Sequence, residues 1–268
     1  MKVLRPMLDD EWVKSLHVQA MSRAEAHRDR APHVLFQAST VAALLDGAFE
    51  GDLSFAELAE HGDLGLGTLN GLDGEMIAID GSFYRADVDG AIHPVAPEAK
   101  TPFAVVTEFE PTIDEELHGP LAQIEVLDFM DSLVPDQATS CAIRLDGRFA
   151  SVRARSVPAQ TPPYRPLAEV VAEQHVFELA DAEGTMLGFR FPTYVEGVEI
   201  GGYHLHFITA DRSRGGHVLD FRSERLRLRL DLSNDLHVEL PPGVDLADPD
   251  LSAATHEAVL LVERDGAA

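Results

Sequence analysis

One cysteine, Cys141, is all that 268 residues contain. A lone thiol can form neither an internal disulfide nor a cysteine-based zinc knuckle, so any bound metal must be held by histidine and carboxylate. Positive charge is also scarce: 21 Lys and Arg stand against 46 Asp and Glu, a formal net charge of −25 with a pI near 4.6. So acidic a chain repels a phosphate backbone and an anionic bilayer, which argues against nucleic acid and membrane as partners. No apolar run of roughly 18 residues exists, so no segment reads as a membrane-spanning helix. The start lacks a secretory leader, because Asp9, Asp10 and Glu11 fall where its apolar stretch would be. The expectation is a soluble intracellular protein. Its 45% hydrophobic content is enough for one large domain or two packed lobes.

Residues from Asp9 to about Asp29 read as a polar helix, a peripheral arm, and 1–32 as an N-terminal extension. After Pro32, Ser39 or Thr40 can cap a short helix running to Phe49, and Ser54 with Glu57 has the spacing of a capping box for a helix over 55–60. Strands follow at 64–70, 75–79, 83–86 and 103–109, separated by Asp-Gly pairs. Helical spacing returns over Asp114–Leu133. Two strands, Cys141–Leu145 and Phe149–Val157, read as a hairpin about Asp146-Gly147. A proline-rich segment from Pro158 to Pro166 leads to a helix over Leu167–His175. Strands are expected at 186–195, 203–209, 217–221 and 226–232, the last alternating charged and apolar residues. This pattern predicts an α+β fold with mixed or antiparallel sheets.

The sharpest local chemistry is Gly201-Gly-Tyr-His204-Leu-His206, followed by a turn-rich stretch and Gly215-Gly-His217. Residues i and i+2 of a strand share a face, so His204 and His206 project together, and the return can bring His217 to them. Three converging imidazoles suit a catalytic divalent metal with open positions, zinc first. A packed or solvated His-x-His without metal stands as the alternative. Arg153 and Arg155 alternate on one predicted strand and should face one way, where a guanidinium could grip a carboxylate; two surface arginines are the bland alternative. Glu75 follows the turn Leu72-Asp-Gly74 and reads either as a buried acid or as a solvated turn residue. The glycines of Gly62-Asp-Leu-Gly65-Leu-Gly67 suggest close backbone packing and do not form a phosphate loop. Gly-x-Ser-x-Gly, His-Glu-x-x-His and dinucleotide signatures are absent.

Several motifs in order carry a resemblance. They are Phe36-Gln-Ala-Ser-Thr-Val-Ala-Ala-Leu-Leu-Asp-Gly, His61 through Glu75, Thr101-Pro-Phe-Ala, Arg155-Ser-Val-Pro, and Gly202-Tyr-His-Leu-His-Phe with Gly-Gly-His217. From about His33 to about Leu232 the chain resembles the α-acetolactate decarboxylases. The resemblance implies a cytoplasmic, commonly dimeric metalloenzyme of the acetoin and butanediol pathway, usually with zinc. Such enzymes convert (S)-2-acetolactate to (R)-acetoin and carbon dioxide. The resemblance also implies an α+β fold in two lobes that form one functional unit, 33–157 and 158–268, each on a mixed sheet with flanking helices and the metal site between them. It further implies His204, His206 and His217 as metal ligands, with Glu75, Thr68 and Arg155 in the active site. A second, C-terminal glutamate also belongs to the family site: Glu263 is the better match and Glu257 the competitor. On this reading Arg155 orients the departing carboxylate and Glu75 or Glu263 protonates the enediolate. The rival readings are a non-catalytic, metal-containing small-molecule binding module and another metal-dependent lyase acting on a hydroxy-keto acid.

Overall fold

A computed structural model of the chain describes residues 17–20, 32–233 and 235–240. Its strands run in chain order as β1 (His17–Ala20), β2 (Val34–Ala38), β3 (Leu53–Ser54), β4 (Leu64–Thr68), β5 (Glu75–Ile79), β6 (Ser82–Ala86), β7 (Ile92–Pro94) and β8 (Lys100–Thr101). They continue with β9 (Ala104–Thr107), β10 (Ile113–Ala122), β11 (Ser140–Ser156), β12 (His175–Phe191), β13 (Gly202–Thr209), β14 (Gly215–Ser233) and β15 (Asp235–Glu239). Four short helices interrupt them: α1 (Val41–Leu45), α2 (Phe55–Leu58), α3 (Gln123–Leu133) and α4 (Leu167–Val171). None of the described helices is long and apolar enough to cross a membrane.

The strands form a mixed eight-stranded sheet in the order β1-β15-β2-β9-β4-β5-β6-β7, and a five-stranded sheet in the order β10-β14-β11-β12-β13. A further β13–β14 pairing closes four strands of the smaller sheet into a barrel. All pairings in that sheet are antiparallel, whereas a mixed sheet was expected in each lobe. Sheet membership also crosses residue 157: β10 and β11 belong to the five-stranded sheet, and β15 returns to the large sheet.

Strand periodicity divides the interior into three cores. On β5, Met76 and Ala78 pack under α2 with Phe55 and Leu58, while Ile77 and Ile79 point to the opposite face. That opposite face of the large sheet, with Leu64, Leu66 and Val105, meets Leu187, Phe189 and Ile208 of the barrel wall. The barrel interior holds Ile143, Phe149, Phe207, Phe221 and Leu228, and α3 contributes Val126 and Met130. The buried large-sheet strands therefore carry apolar side chains on both faces, which explains their unbroken hydrophobic runs.

Several local expectations change. Residues 17–20, expected within a polar helix, form a strand that pairs in parallel with β15 and covers its otherwise open edge. The first half of 114–133 is strand β10, and only 123–133 is helix. Charge pairing across strands accounts for it: Arg227 on β14 bonds Asp114, and Arg225 bonds Glu116 at 3.0 Å. Asp146-Gly147 makes no hairpin, because β11 runs straight through it. A Cβ on Gly147 would lie 2.1 Å from the Arg225 carbonyl, so this glycine serves close strand approach. The two strands expected at 217–221 and 226–232 are likewise one continuous strand, β14. The first two helical caps are as read: Thr40 accepts from Ala43 N, and Ser54 with Glu57 closes a capping box.

Candidate active site

The pocket lies where the barrel wall meets the large sheet, and period two decides what enters it. On β13, Leu205 and Phe207 fill the barrel, so His204 and His206 point outward to the large sheet. On β14, Val218 points into the barrel, so its neighbour His217 also points out. His206 and His217 are directly paired across the two strands. The return between them is held by the Asp211 carboxylate, which accepts from Thr209 Oγ1, Ser213 N and Ser213 Oγ. From the facing sheet, Glu75 shares a face with Ile77, and Thr68 shares one with Leu66.

Arg155 arrives by the same rule. Val152 and Ala154 of β11 pack in the barrel interior, so Arg153 and Arg155 both point outward, as expected. Arg155 pairs directly with His217 across the ladder and is buried at the pocket, while Arg153 is exposed.

The three histidine rings have centroids 5.0 to 5.4 Å apart, and one ligand atom from each lies within 4.8 Å of the others. His206 Nδ1 donates to the Met76 carbonyl at 2.8 Å, which leaves Nε2 with the lone pair. That Nε2 is buried without a hydrogen bond. Burial pushes His206 and His217 well below the usual imidazole range, helped by His204 for the first and by the Arg155 charge for the second. Both rings are therefore neutral at physiological pH. Three buried imidazoles with ligand atoms this close are a fitting donor set for a divalent metal.

Beside them, Arg155 donates to Glu75 Oε1 at 3.1 Å, and the two residues are only 4% and 7% exposed. Glu75 Oε2 lies 3.6 Å from His206 Nε2; with His206 neutral this is a close approach, not an ion pair. Burial pushes the Glu75 carboxyl up against the opposing pull of Arg155. Thr68 Oγ1 donates to the Gly74 carbonyl at 2.8 Å and pins the turn that leads into Glu75. The pocket is partly open to solvent, with Phe103, Leu167, Val171 and Ile200 among its apolar walls. It can hold a small oxygen-rich acid beside a metal, a cation and a buried acid.

All six expected site residues in the described part of the chain thus meet: Thr68, Glu75, Arg155, His204, His206 and His217. Glu263 and Glu257 lie outside the described residues. The sequence reading missed Glu199, which is fully buried behind His204 with its Oε1 3.9 Å from Nδ1. Burial pushes its carboxyl up to about 8, with the Ile200 N–H opposing. A charged residue inside the apolar run Val198-Glu-Ile200 was the available signal. The glycine run behaves as read: a Cβ on Gly65 would sit 2.2 Å from the Val105 carbonyl. His61 stacks on Phe36, with ring centroids 3.7 Å apart.

Residues 35–253 match the family model described as alpha-acetolactate decarboxylase. The chain is 44% identical over 227 residues to the alpha-acetolactate decarboxylase of Methylococcus capsulatus, covering 85% of this chain and 87% of the relative. It is 40% identical to that of Klebsiella aerogenes, with the same coverage. Among solved structures it resembles the alpha-acetolactate decarboxylase of Bacillus subtilis strain 168, with a TM-score of 0.81 and 34% identity, covering 86% of this chain and 99% of the other.

Proposed function

The chain belongs to the alpha-acetolactate decarboxylase family, and we propose from that membership how its pocket releases carbon dioxide from acetolactate. It is a carboxy-lyase whose product is acetoin. The observation that carries the mechanistic reading is the convergence of three buried histidines with the Glu75–Arg155 pair in one pocket.

Acetolactate carries a carboxylate and a hydroxyl on one carbon and a ketone on the next. Breaking the bond to the carboxylate leaves an electron pair that must be delocalised as an enediolate. Zinc held by His204, His206 and His217 would supply Lewis-acid stabilisation of that negative charge. Arg155 binds the substrate carboxylate through its planar fork and sets the bond to be broken against the neighbouring carbonyl. Its position beside Glu75 lets one guanidinium hold both the departing group and the acid. Burial pushes the Glu75 carboxyl up, and once the substrate carboxylate engages Arg155 the pull opposing that shift is relieved; Glu75, having taken up a proton from solvent, delivers it to one face of the carbanionic carbon, and that single-sided delivery accounts for conversion of the (S)-acid to (R)-acetoin. Thr68 positions the Glu75 turn through Gly74. The apolar walls exclude bulk water, which strengthens each of these polar contacts. Both sheets contribute site residues and act as one functional unit. A cytoplasmic homodimer is the setting we assign it, on the family resemblance.

The test is acetoin production by the purified protein from racemic acetolactate, with chelator-treated and zinc-restored samples alongside. Fast acetoin formation that the chelator abolishes and zinc restores is expected. Turnover unchanged after verified removal of all metal would overturn the metal role. Loss of no activity in Glu75→Gln, with product chirality intact, would remove Glu75 as proton donor.

A further inference from the structure

We propose that Glu199 is a positioning residue that accepts the Nδ1–H of His204 from behind the ring and so presents its Nε2 to the metal. The inference rests on the metal reading above and adds a residue to it. Glu199 is fully buried, and it is absent from the pocket wall that His204 and Ile200 line. Its Oε1 lies 3.9 Å from His204 Nδ1, and neither carboxylate oxygen has a hydrogen bond of good geometry. A rotation of either side chain that brings the pair to about 2.8 Å makes a full hydrogen bond.

The backbone beneath Glu199 is built as a fixed platform. Val41 N and Ala42 N, at the start of α1, donate to the carbonyls of Val198 and Gly197 at 3.0 and 3.1 Å. Gln37 Nε2 reaches the same Val198 carbonyl at 2.7 Å, and Glu199 N donates to Val195 O at 3.1 Å. A carboxylate so anchored in an apolar layer is costly unless it faces positive charge. The ring of a metal-bound histidine supplies that charge, since coordination at Nε2 makes Nδ1–H a stronger donor. Carboxylate–histidine pairs of this kind fix the tautomer and raise ligand basicity.

The full chain, Glu199→Gln, Glu199→Asp and His206→Ala are compared by two readouts: zinc affinity against a chromophoric chelator, and melting temperature of the metal-free protein. Glu199→Gln should weaken zinc about 10- to 100-fold, while its metal-free melting temperature stays level or rises, because the amide has no charge to bury. Glu199→Asp, with the carboxylate withdrawn by one methylene, should also weaken zinc, and it decides the matter if the glutamine variant does not fold. Zinc affinity within about twofold of the parent in a folded variant would overturn the role of Glu199 alone. A parent that takes up no zinc would overturn the metal reading and this inference with it.

Discussion

Replacing Arg155 with methionine tests the centre of the site on two axes. The guanidinium stands 3.1 Å from Glu75 Oε1, with both side chains almost wholly out of water. At an effective dielectric constant near 20, that separation corresponds to an attraction of about 5 kcal/mol before desolvation is subtracted. Methionine keeps most of the volume and removes the charge, stranding a buried carboxyl. Breaking one partner of a buried pair costs about 3–5 kcal/mol. For a chain of this size that lowers the melting temperature by about 6–20 °C. Adding Glu75→Gln removes the stranded charge, so the double variant should recover most of the lost stability. The assay is thermal and urea unfolding of the metal-free parent, both singles and the double, all at one pH. Activity follows a different rule. Arg155→Met should lose roughly 100-fold or more in kcat/KM on acetolactate, and the double variant should regain none of it, since the carboxylate grip is gone in both. A stability loss under about 1 kcal/mol in Arg155→Met, or a double variant no more stable than that single, would refute the account of a stressed buried pair.

Three further outcomes follow from other parts of the molecule. Gly65→Ala should destabilise the fold by about 1–3 kcal/mol, read from urea midpoints, because the new methyl meets the Val105 carbonyl on the neighbouring strand. Cys141 is buried, and burial pushes its thiol up to about 12, so a disulfide reagent should leave the native protein unlabelled and react only after denaturant is added. Burial alone would raise the Asp146 carboxyl, but hydrogen bonds from Thr185, Arg229 and Arg144 outweigh it and hold the group below its ordinary 3.8. A depressed folded-state pKa contributes stability above the unfolded value, and that contribution is lost as pH falls through the folded one. Asp146→Asn should therefore cost stability at neutral pH and flatten the acid transition below about pH 4; an unchanged acid midpoint and slope would contradict the network.

The legible parts of this chain were those set by local rules. Thr40 and the Ser54–Glu57 box announce their helices because capping is decided within four residues. Strand β5 over Glu75–Ile79 and the face shared by His204 and His206 follow from period two alone. The turn formers around Asp211 likewise forecast the return that brings His217 beside His206. Misreadings arise where a partner strand overrides the local signal. Asp114–Ala122 has helical spacing but is a strand, because the arginines of β14 lie opposite its acids. Asp146-Gly147 looks like a turn and is the middle of a strand that needs a residue without a side chain.

The site divides in the same way. The candidate groups were written in the residue types: three imidazoles, a carboxyl and a guanidinium. Their motifs and order were enough to point to the family. Arg153 and Arg155 share the outward face of β11, and which of them enters the pocket was decided by cross-strand pairing, which sets Arg155 opposite His217. Burial of Glu75, which pushes its carboxyl up, and the Met76 carbonyl that fixes the tautomer of His206 both come from packing the barrel against the large sheet. Glu199 gains its place behind His204 only because α1 and β2 clamp the segment before it. Sequence determines which groups are available and which face of a strand they share; desolvation and cross-sheet contact depend on residues 80 to 130 positions away, and only the tertiary structure brings those together.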